Sequence, residues 1–320
     1  MRHETAVGGE LRRAVRATRA HEAEAAQHGR AEHNLRLALE ALDQIYLQVA
    51  ENRVPRDPQQ EREAHELLQK ALAFYKEFAE LNPADAAVGA EVVRAHRRVG
   101  DIQRLVGRYP DAERAYAAAI ARAEQLSKQP AAEAAYLYEL AASHNSLGEL
   151  RLETGEITLA NEELRQAAVL LIELVGRSPL PLYRAELARS YHGLGLVLKQ
   201  QGDRSAAEEQ FRQAIAVQTK LSEELPSEPR YRADLAQMHR SASRWSQGPG
   251  TKRSWAAVPW QDTTAVQHIH SAVKLLQGLV ADFPDAPLYR QRLASALHDL
   301  ARQVYPTPES FRQAIEIQAR

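Results

Sequence analysis

The chain has 320 residues, of which 44% are hydrophobic, 26% are charged and only 6% are aromatic. It carries 41 Lys and Arg against 42 Asp and Glu and has no Cys. This composition excludes disulfides, thiolate metal sites and a net basic field for nucleic acid. It favours a helical fold over a β-sandwich or barrel.

The chain opens with a polar segment, residues 1–29, that is rich in Arg, Ala and Glu. Its apolar positions are mostly Ala, so we predict a linker or stalk helix and no strong coiled coil. It lacks the apolar core of a signal peptide, and no run in the chain approaches the about 20 apolar residues of a membrane span. We therefore expect a cytoplasmic location by default. Residues 30–86 are predicted to form a capping pair of helices.

The core, residues 87–243, repeats a pattern of small and bulky residues. Gly100, Gly148 and Gly195 each follow Val or Leu and lie 48 and 47 residues apart. Each is followed after 7 residues by Gly, after 12 by Ala, after 16 by a bulky residue and after 19 by Ala. The second Gly predicts a left-handed turn, and the Ala-bulky-Ala series predicts one face of a following helix. Small residues should let the paired helices approach while the bulky residue fills the gap.

This order of residues resembles the tetratricopeptide repeat, a helix-turn-helix unit. The resemblance implies an all-α fold, a right-handed α-solenoid in which each repeat packs on its neighbours. The period of 47–48 residues exceeds the usual ~34. Because the extra residues follow the second Ala, we expect a lengthened second helix.

The pattern weakens after residue 243. Residues 244–263 contain all three Trp residues of the chain, Trp245, Trp255 and Trp260. They are predicted to be either a contact site for a partner or a structural, degenerate part of the repeat. Residues 264–320 are predicted to be degenerate C-terminal repeats, the last of them truncated, in which 311–315 repeats the sequence of 211–215.

The sequence contains no recognised catalytic signature. The phosphate-binding loop, the paired-His zinc helix and the nucleophile elbow are all missing from it. His96, His144 and His239 recur at one place in successive first helices, which favours packing over a shared metal ion. His268 and His270 are two residues apart on a predicted helix and point in different directions. We therefore predict a protein that is not an enzyme and holds no metal or cofactor.

The resemblance further implies that the first helix of each repeat lines a concave groove. The predicted groove is mildly basic, which favours an acidic peptide or protein partner, with no nucleic acid bound. Its candidate residues are Arg94, Arg97, Arg104, Asn145, Arg189, His192, Lys199 and Arg240. We therefore predict a non-catalytic scaffold for protein-protein interaction. The alternative is that these Arg residues only solubilise Ala-rich helices.

A second resemblance concerns the N-terminal segment and the Tyr-Arg-x-x-Leu-Ala helix starts at Tyr183, Tyr231 and Tyr289. They are similar to the repeat region that follows the kinase domain and membrane helix of bacterial membrane-anchored serine/threonine kinases. This resemblance implies an alternative in which the chain is a detached sensor or docking region of such a kinase. It would then lack kinase activity and lie outside the cytoplasm.

Overall fold

A computed structural model describes residues 58–81, 89–128, 134–245 and 264–303. Within these ranges the chain forms ten α-helices and no strand. The helices are α1 (Pro58–Leu81), α2 (Gly89–Leu105), α3 (Tyr109–Ser127), α4 (Ala134–Thr154), α5 (Ile157–Arg177), α6 (Pro181–Gln201), α7 (Arg204–Glu224), α8 (Pro229–Trp245), α9 (Thr264–Asp282) and α10 (Pro287–Gln303).

The helices stack in pairs along the chain. Each helix packs against the next, and α2, α4, α6, α8 and α10 also contact one another in that order. These five first helices therefore form one continuous layer, and α3, α5, α7 and α9 are the second helices of the pairs. The all-α repeat solenoid predicted from the sequence is confirmed.

The turn inside each core repeat depends on glycine. Gly107, Gly155 and Gly202 have φ angles of 77°, 86° and 84°, in the left-handed region that favours glycine. The Gly202 amide donates to the carbonyl of Lys199 at 3.2 Å, and the Asp203 carboxylate then accepts from the Ala206 amide at 3.1 Å. Gly202 thus ends one helix, and Asp203 caps the N-terminus of the next. The predicted turns are confirmed.

The other glycine of each repeat lies where the paired helices cross. A Cβ atom at Gly100 would lie 2.5 Å from the Tyr116 ring. At Gly148 and Gly195 it would lie 2.7 Å from Leu164 and from Phe211 respectively. The three bulky residues are fully buried, and the Ala residues that precede and follow each of them on the second helix are buried too. The crossing of small against bulky residues is therefore as predicted.

The long period is shared by both helices of a repeat. Helices α4, α5, α6 and α7 have 21 residues each. The predicted lengthening of the second helix is therefore matched by an equal length of the first helix. The first helix has gained length as well, because it extends well before the Leu-Gly pair: α6 begins 14 residues before Gly195.

The described ranges cover the predicted segments unequally. Helix α1 falls in the predicted cap, α2 to α8 form the predicted core, and α9 and α10 belong to the predicted C-terminal repeats. Trp245 is the last residue of α8. Trp255, Trp260, the predicted stalk and the repeated motif at 311–315 lie outside the described residues. Among the helices that the structure describes, none combines the length and apolarity that crossing a bilayer requires.

Candidate functional site

All eight predicted groove residues lie on first helices. On one face of the layer, side chains of α2, α4, α6, α8 and α10 join one first helix to the next. We call this face the first-helix surface. Its residues extend from Arg94 on α2 to Asp299 on α10. A series of ion pairs and hydrogen bonds crosses this surface from repeat to repeat.

The first crossing is centred on Glu139 of α4, whose side chain is only 1% exposed. Its carboxylate accepts from Arg94 Nε at 2.8 Å and from Arg97 Nη2 at 2.9 Å, both on α2. Burial acts to raise the pKa of the Glu139 carboxyl, but the charges of Arg97 and Arg94 outweigh it and lower that pKa. Glu139 therefore stays ionised and ties α2 to α4.

The second crossing spans three first helices. Glu149 of α4 accepts from Arg104 Nη1 of α2 at 3.1 Å and from Arg189 of α6, with 2.5 Å to Nε and 2.7 Å to Nη2. Burial would raise the pKa of Glu149, yet Arg189, followed by Arg104, lowers it to about 2. The carboxylate is therefore held between two guanidinium groups on either side of its own helix.

Asn145 of α4 also belongs to the first-helix surface and makes hydrogen bonds to α6. Its Nδ2 donates to the Glu186 carbonyl at 3.1 Å and to the Glu186 carboxylate at 2.9 Å. Its Oδ1 accepts from Ser190 Oγ at 2.7 Å. Asn145 is fully buried, so its amide serves the contact between α4 and α6.

His192 and Lys199 of α6 lie further along the surface. His192 Nε2 is 2.8 Å from Ser241 Oγ of α8. Burial lowers the pKa of His192 to about 4, against the opposing charge of Glu149, so the imidazole is neutral at pH 7. Burial and then the charge of Arg244 lower the pKa of Lys199.

The last crossing joins α8 to α10. Arg240 Nη2 and Arg244 Nη2 donate to the Asp299 carboxylate at 2.9 Å and 2.8 Å. The Asp299 side chain is 4% exposed, whereas the Arg244 side chain is 54% exposed. Two arginines thus share one buried carboxylate, and Lys199 lies near enough to feel the charge of Arg244. Helices α8 and α10 together carry seven Arg against two Asp.

The two layers of the solenoid differ in charge. The five first helices carry 15 Lys and Arg against 8 Asp and Glu. The second helices α3, α5, α7 and α9 carry 8 Lys and Arg against 11 Asp and Glu. Although the net charge of the whole chain is close to zero, the layer of first helices is therefore basic and the layer of second helices is acidic.

Sequence reasoning found the basic residues of the surface but missed three of their acidic partners. Glu139, Glu186 and Asp299 were not among the candidates, although they neutralise Arg97, Arg189 and Arg240. The spacing along the sequence could have revealed such partners. Glu139 follows Arg97 by 42 residues and Glu149 follows Arg104 by 45, and both separations are close to one repeat period. In the part of the chain that the structure describes, no three His, Asp, Glu or Cys side chains gather as metal ligands.

One segment matches a known repeat. Residues 188–220, from the middle of α6 to near the end of α7, match the sequence profile of the tetratricopeptide repeat. The helices stack as in a tetratricopeptide-type solenoid. The matched residues contain the Leu-Gly pair, the turn glycine and the Ala-Phe-Ala face of one core repeat.

The fold is shared with a solved structure. The crystal structure of BtubC (BKLC) from P. vanneervenii is similar to this chain, with a TM-score of 0.54 and 17% sequence identity. The similarity covers 79% of this chain and 91% of that one. The nuclear import adaptor Nro1 of S. pombe has a TM-score of 0.49 at 14% identity, covering 86% of this chain and 91% of its own. No curated protein is significantly similar in sequence to this chain. Tetratricopeptide-type solenoids are generally protein-interaction scaffolds and are typically non-catalytic.

Proposed function

We propose that this chain is a non-catalytic scaffold that binds an acidic peptide or protein segment along the first-helix surface. In tetratricopeptide-type solenoids the first helices line the inner, concave face. The observation that carries the proposal is the excess of basic residues on the first helices, 15 against 8 acidic ones. Three of the 15, Arg151, Arg184 and Arg232, pair with acidic residues of the second helices, and the excess persists without them. Such a surface attracts an acidic partner and repels a basic one.

The C-terminal end of the surface is the proposed docking region. Arg240 and Arg244 share a single carboxylate, that of Asp299, and the pKa of the nearby Lys199 is lowered by burial and by the charge of Arg244. A carboxylate from a partner would offset the repulsion between Lys199 and Arg244 and accept charge-assisted hydrogen bonds from them. Arg244 is the more exposed of the two Asp299-bound arginines, so it is the residue best placed for this contact.

The N-terminal end has a supporting part in this proposal. Arg97, Arg104 and Arg189 are engaged with Glu139 and Glu149 across repeats. These contacts fix the register of α2, α4 and α6, so a partner would meet a surface that is already arranged. Charge reversal at these three arginines would therefore perturb the fold together with binding and is a poor test of function.

A matched pair of double variants tests the proposal. Lys199→Gln with Arg244→Gln removes two positive charges from the first helices. Arg212→Gln with Lys220→Gln removes two from α7, where the Arg212 side chain is 70% exposed. The probe is a fluorescently labelled oligoglutamate peptide, and binding is followed by fluorescence anisotropy at two salt concentrations.

We expect salt-dependent binding to the unaltered chain that weakens about tenfold or more in the first-helix variant and is unchanged in the α7 variant. Equal weakening in both variants would show a nonspecific charge effect and contradict the proposed surface. Failure of the unaltered chain to bind the probe would contradict the acidic partner. Circular dichroism shows whether each variant is folded.

The kinase-linked alternative rests on the resemblance of the N-terminal segment and of the Tyr-Arg helix starts. The structure gives the Tyr-Arg helix starts a packing contact, because Arg184 Nη1 donates to Glu224 at 3.0 Å and Arg232 Nη1 donates to Asp282 at 2.6 Å. Each contact links the start of a first helix to the end of its second helix. An in-frame kinase and membrane helix encoded upstream of Met1 would support the alternative, and an independent promoter there would oppose it. A cytoplasmic location and a partner contact through Trp245, Trp255 and Trp260 also stay predictions.

A further inference from the structure

Two histidines meet where α8 packs on α9. His239 Nδ1 and His268 Nδ1 are 2.9 Å apart, and the ring centroids are 5.1 Å apart. Both rings are partly buried. Sequence reasoning assigned His239 to packing and compared His268 only with His270, so this pair was missed.

The same structural position recurs in the other core repeats with different chemistry. His239 lies 8 residues after Tyr231, as His144 lies 8 after Tyr136, and His268 lies 4 before Ala272, as Glu163 lies 4 before Ala167. In that earlier repeat His144 Nδ1 is 2.6 Å from Glu163 Oε2. The repeat between them has the same two positions occupied by Tyr191 and Gln210. Packing at this position therefore does not require two imidazoles.

Two facing imidazole nitrogens are a common basis for binding a transition metal. Zinc binds imidazole nitrogen at about 2.0–2.1 Å in a tetrahedral arrangement, which sets two such nitrogens about 3.3 Å apart. The observed separation of 2.9 Å is smaller by a few tenths of an ångström, which small rotations of the two rings can supply. On binding, the ring that carries its proton on Nδ1 would carry it on Nε2 instead, so that both Nδ1 lone pairs face the ion.

The surroundings of His268 leave room to complete a coordination shell. His268 lines a cavity of about 340 Å³ together with Glu208, Phe211, Ala242 and Thr264. Glu208 brings a negative charge to this cavity, which lowers the cost of placing a cation there. Water can occupy the remaining coordination positions, because the described residues supply no third protein ligand.

We propose that His239 and His268 bind a divalent transition-metal ion of the zinc class and thereby cross-link α8 to α9. The connection between these helices, residues 246–263, is longer than the turns of two residues that join α4 to α5 and α6 to α7. Closing a longer loop costs more chain entropy. A metal ion that binds only the folded pair stabilises the packing of α8 on α9.

The test uses the full chain without an affinity tag, after treatment with a chelator. Zinc chloride is titrated by calorimetry, and Co²⁺ is added separately so that its visible spectrum reports the coordination. The variant is His239→Tyr with His268→Gln, which copies the Tyr191 and Gln210 residues of the preceding repeat and so preserves the packing. The control is His270→Gln, two residues further along α9 at an exposed position.

We expect one zinc site with a dissociation constant on the order of 10 µM, weakened about tenfold or more in the double variant and unchanged in the control. Zinc should also raise the melting temperature of the unaltered chain and leave that of the double variant unchanged. Equal zinc affinity in the double variant, or a dissociation constant weaker than about 1 mM for the unaltered chain, would overturn the proposal. If the double variant fails to fold, His268→Gln alone gives the same comparison.

Discussion

Gly195 of α6 lies against the ring of Phe211 of α7, so closely that a Cβ atom on the glycine would be 2.7 Å from that ring. The equivalent glycines at 100 and 148 face Tyr116 and Leu164 in the same way. Each core helix pair is therefore closed by a glycine on the first helix and a bulky side chain on the second. The repeated pattern of small and bulky residues in the sequence therefore arises from this contact.

Replacing the glycine at the crossing should destabilise the chain. We expect Gly195→Leu to cost about 1–3 kcal/mol, because the added side chain would collide with the buried Phe211 ring at the helix crossing. Urea unfolding followed by circular dichroism measures this cost. The control is Gly278→Ala inside α9, where an added Cβ meets nothing within 4 Å and the higher helix propensity of Ala should stabilise by about 0.5–1 kcal/mol. Unchanged stability of Gly195→Leu would contradict the packing described above.

The buried carboxylate between α2 and α4 gives a second prediction. Glu139→Gln should cost up to about 3–5 kcal/mol, because it removes the closer of the two carboxylates that face the buried Arg97 guanidinium. Glu173→Gln breaks the exposed pair with Arg177 on α5 and should cost less than about 1 kcal/mol. Thermal unfolding of the two variants compares the sites. Similar costs at both would mean that the Glu139 contacts do not join the repeats.

Stability should fall in acid through Glu149. The pKa of this carboxyl is about 2 in the folded chain, below its usual 4.5. Its contribution is therefore complete above about pH 4.5 and is lost as the pH falls towards about 2. The shift corresponds to a contribution on the order of 1–3 kcal/mol once partial exposure is allowed for. Glu149→Gln removes this contribution.

Urea unfolding at a series of pH values checks the assignment to Glu149. The difference in unfolding free energy between the unaltered chain and Glu149→Gln should be largest above about pH 5 and should shrink as the pH approaches 2. A difference that stays constant over this range would show that the Glu149 carboxylate is not stabilised by Arg189 and Arg104. Because both proteins keep all other acidic groups, their remaining acid sensitivity cancels in the comparison.

The sequence predicts the helix pairs well because the residues that define them are close in the chain. Gly195 and Phe211 are 16 residues apart, and Gly202 forms the turn between them. The contacts of the first-helix surface join residues much further apart, such as Arg240 and Asp299 at 59. Which charges meet there depends on how one repeat is rotated on the next, and a single sequence does not give that rotation. The meeting of His239 with His268 was missed for a related reason, since the longer connection displaces the usual spacing of 19 residues to 29.

The central claim is that an acidic partner occupies the first-helix surface at α6, α8 and α10. Hydrogen exchange of the full chain, measured by mass spectrometry with and without a saturating oligoglutamate peptide, tests it most directly. The account predicts added protection in the C-terminal turns of α6 and α8, around Lys199 and Arg244, and in α10 around Asp299. Protection confined to the second helices α5 and α7, with none at these three places, would contradict it.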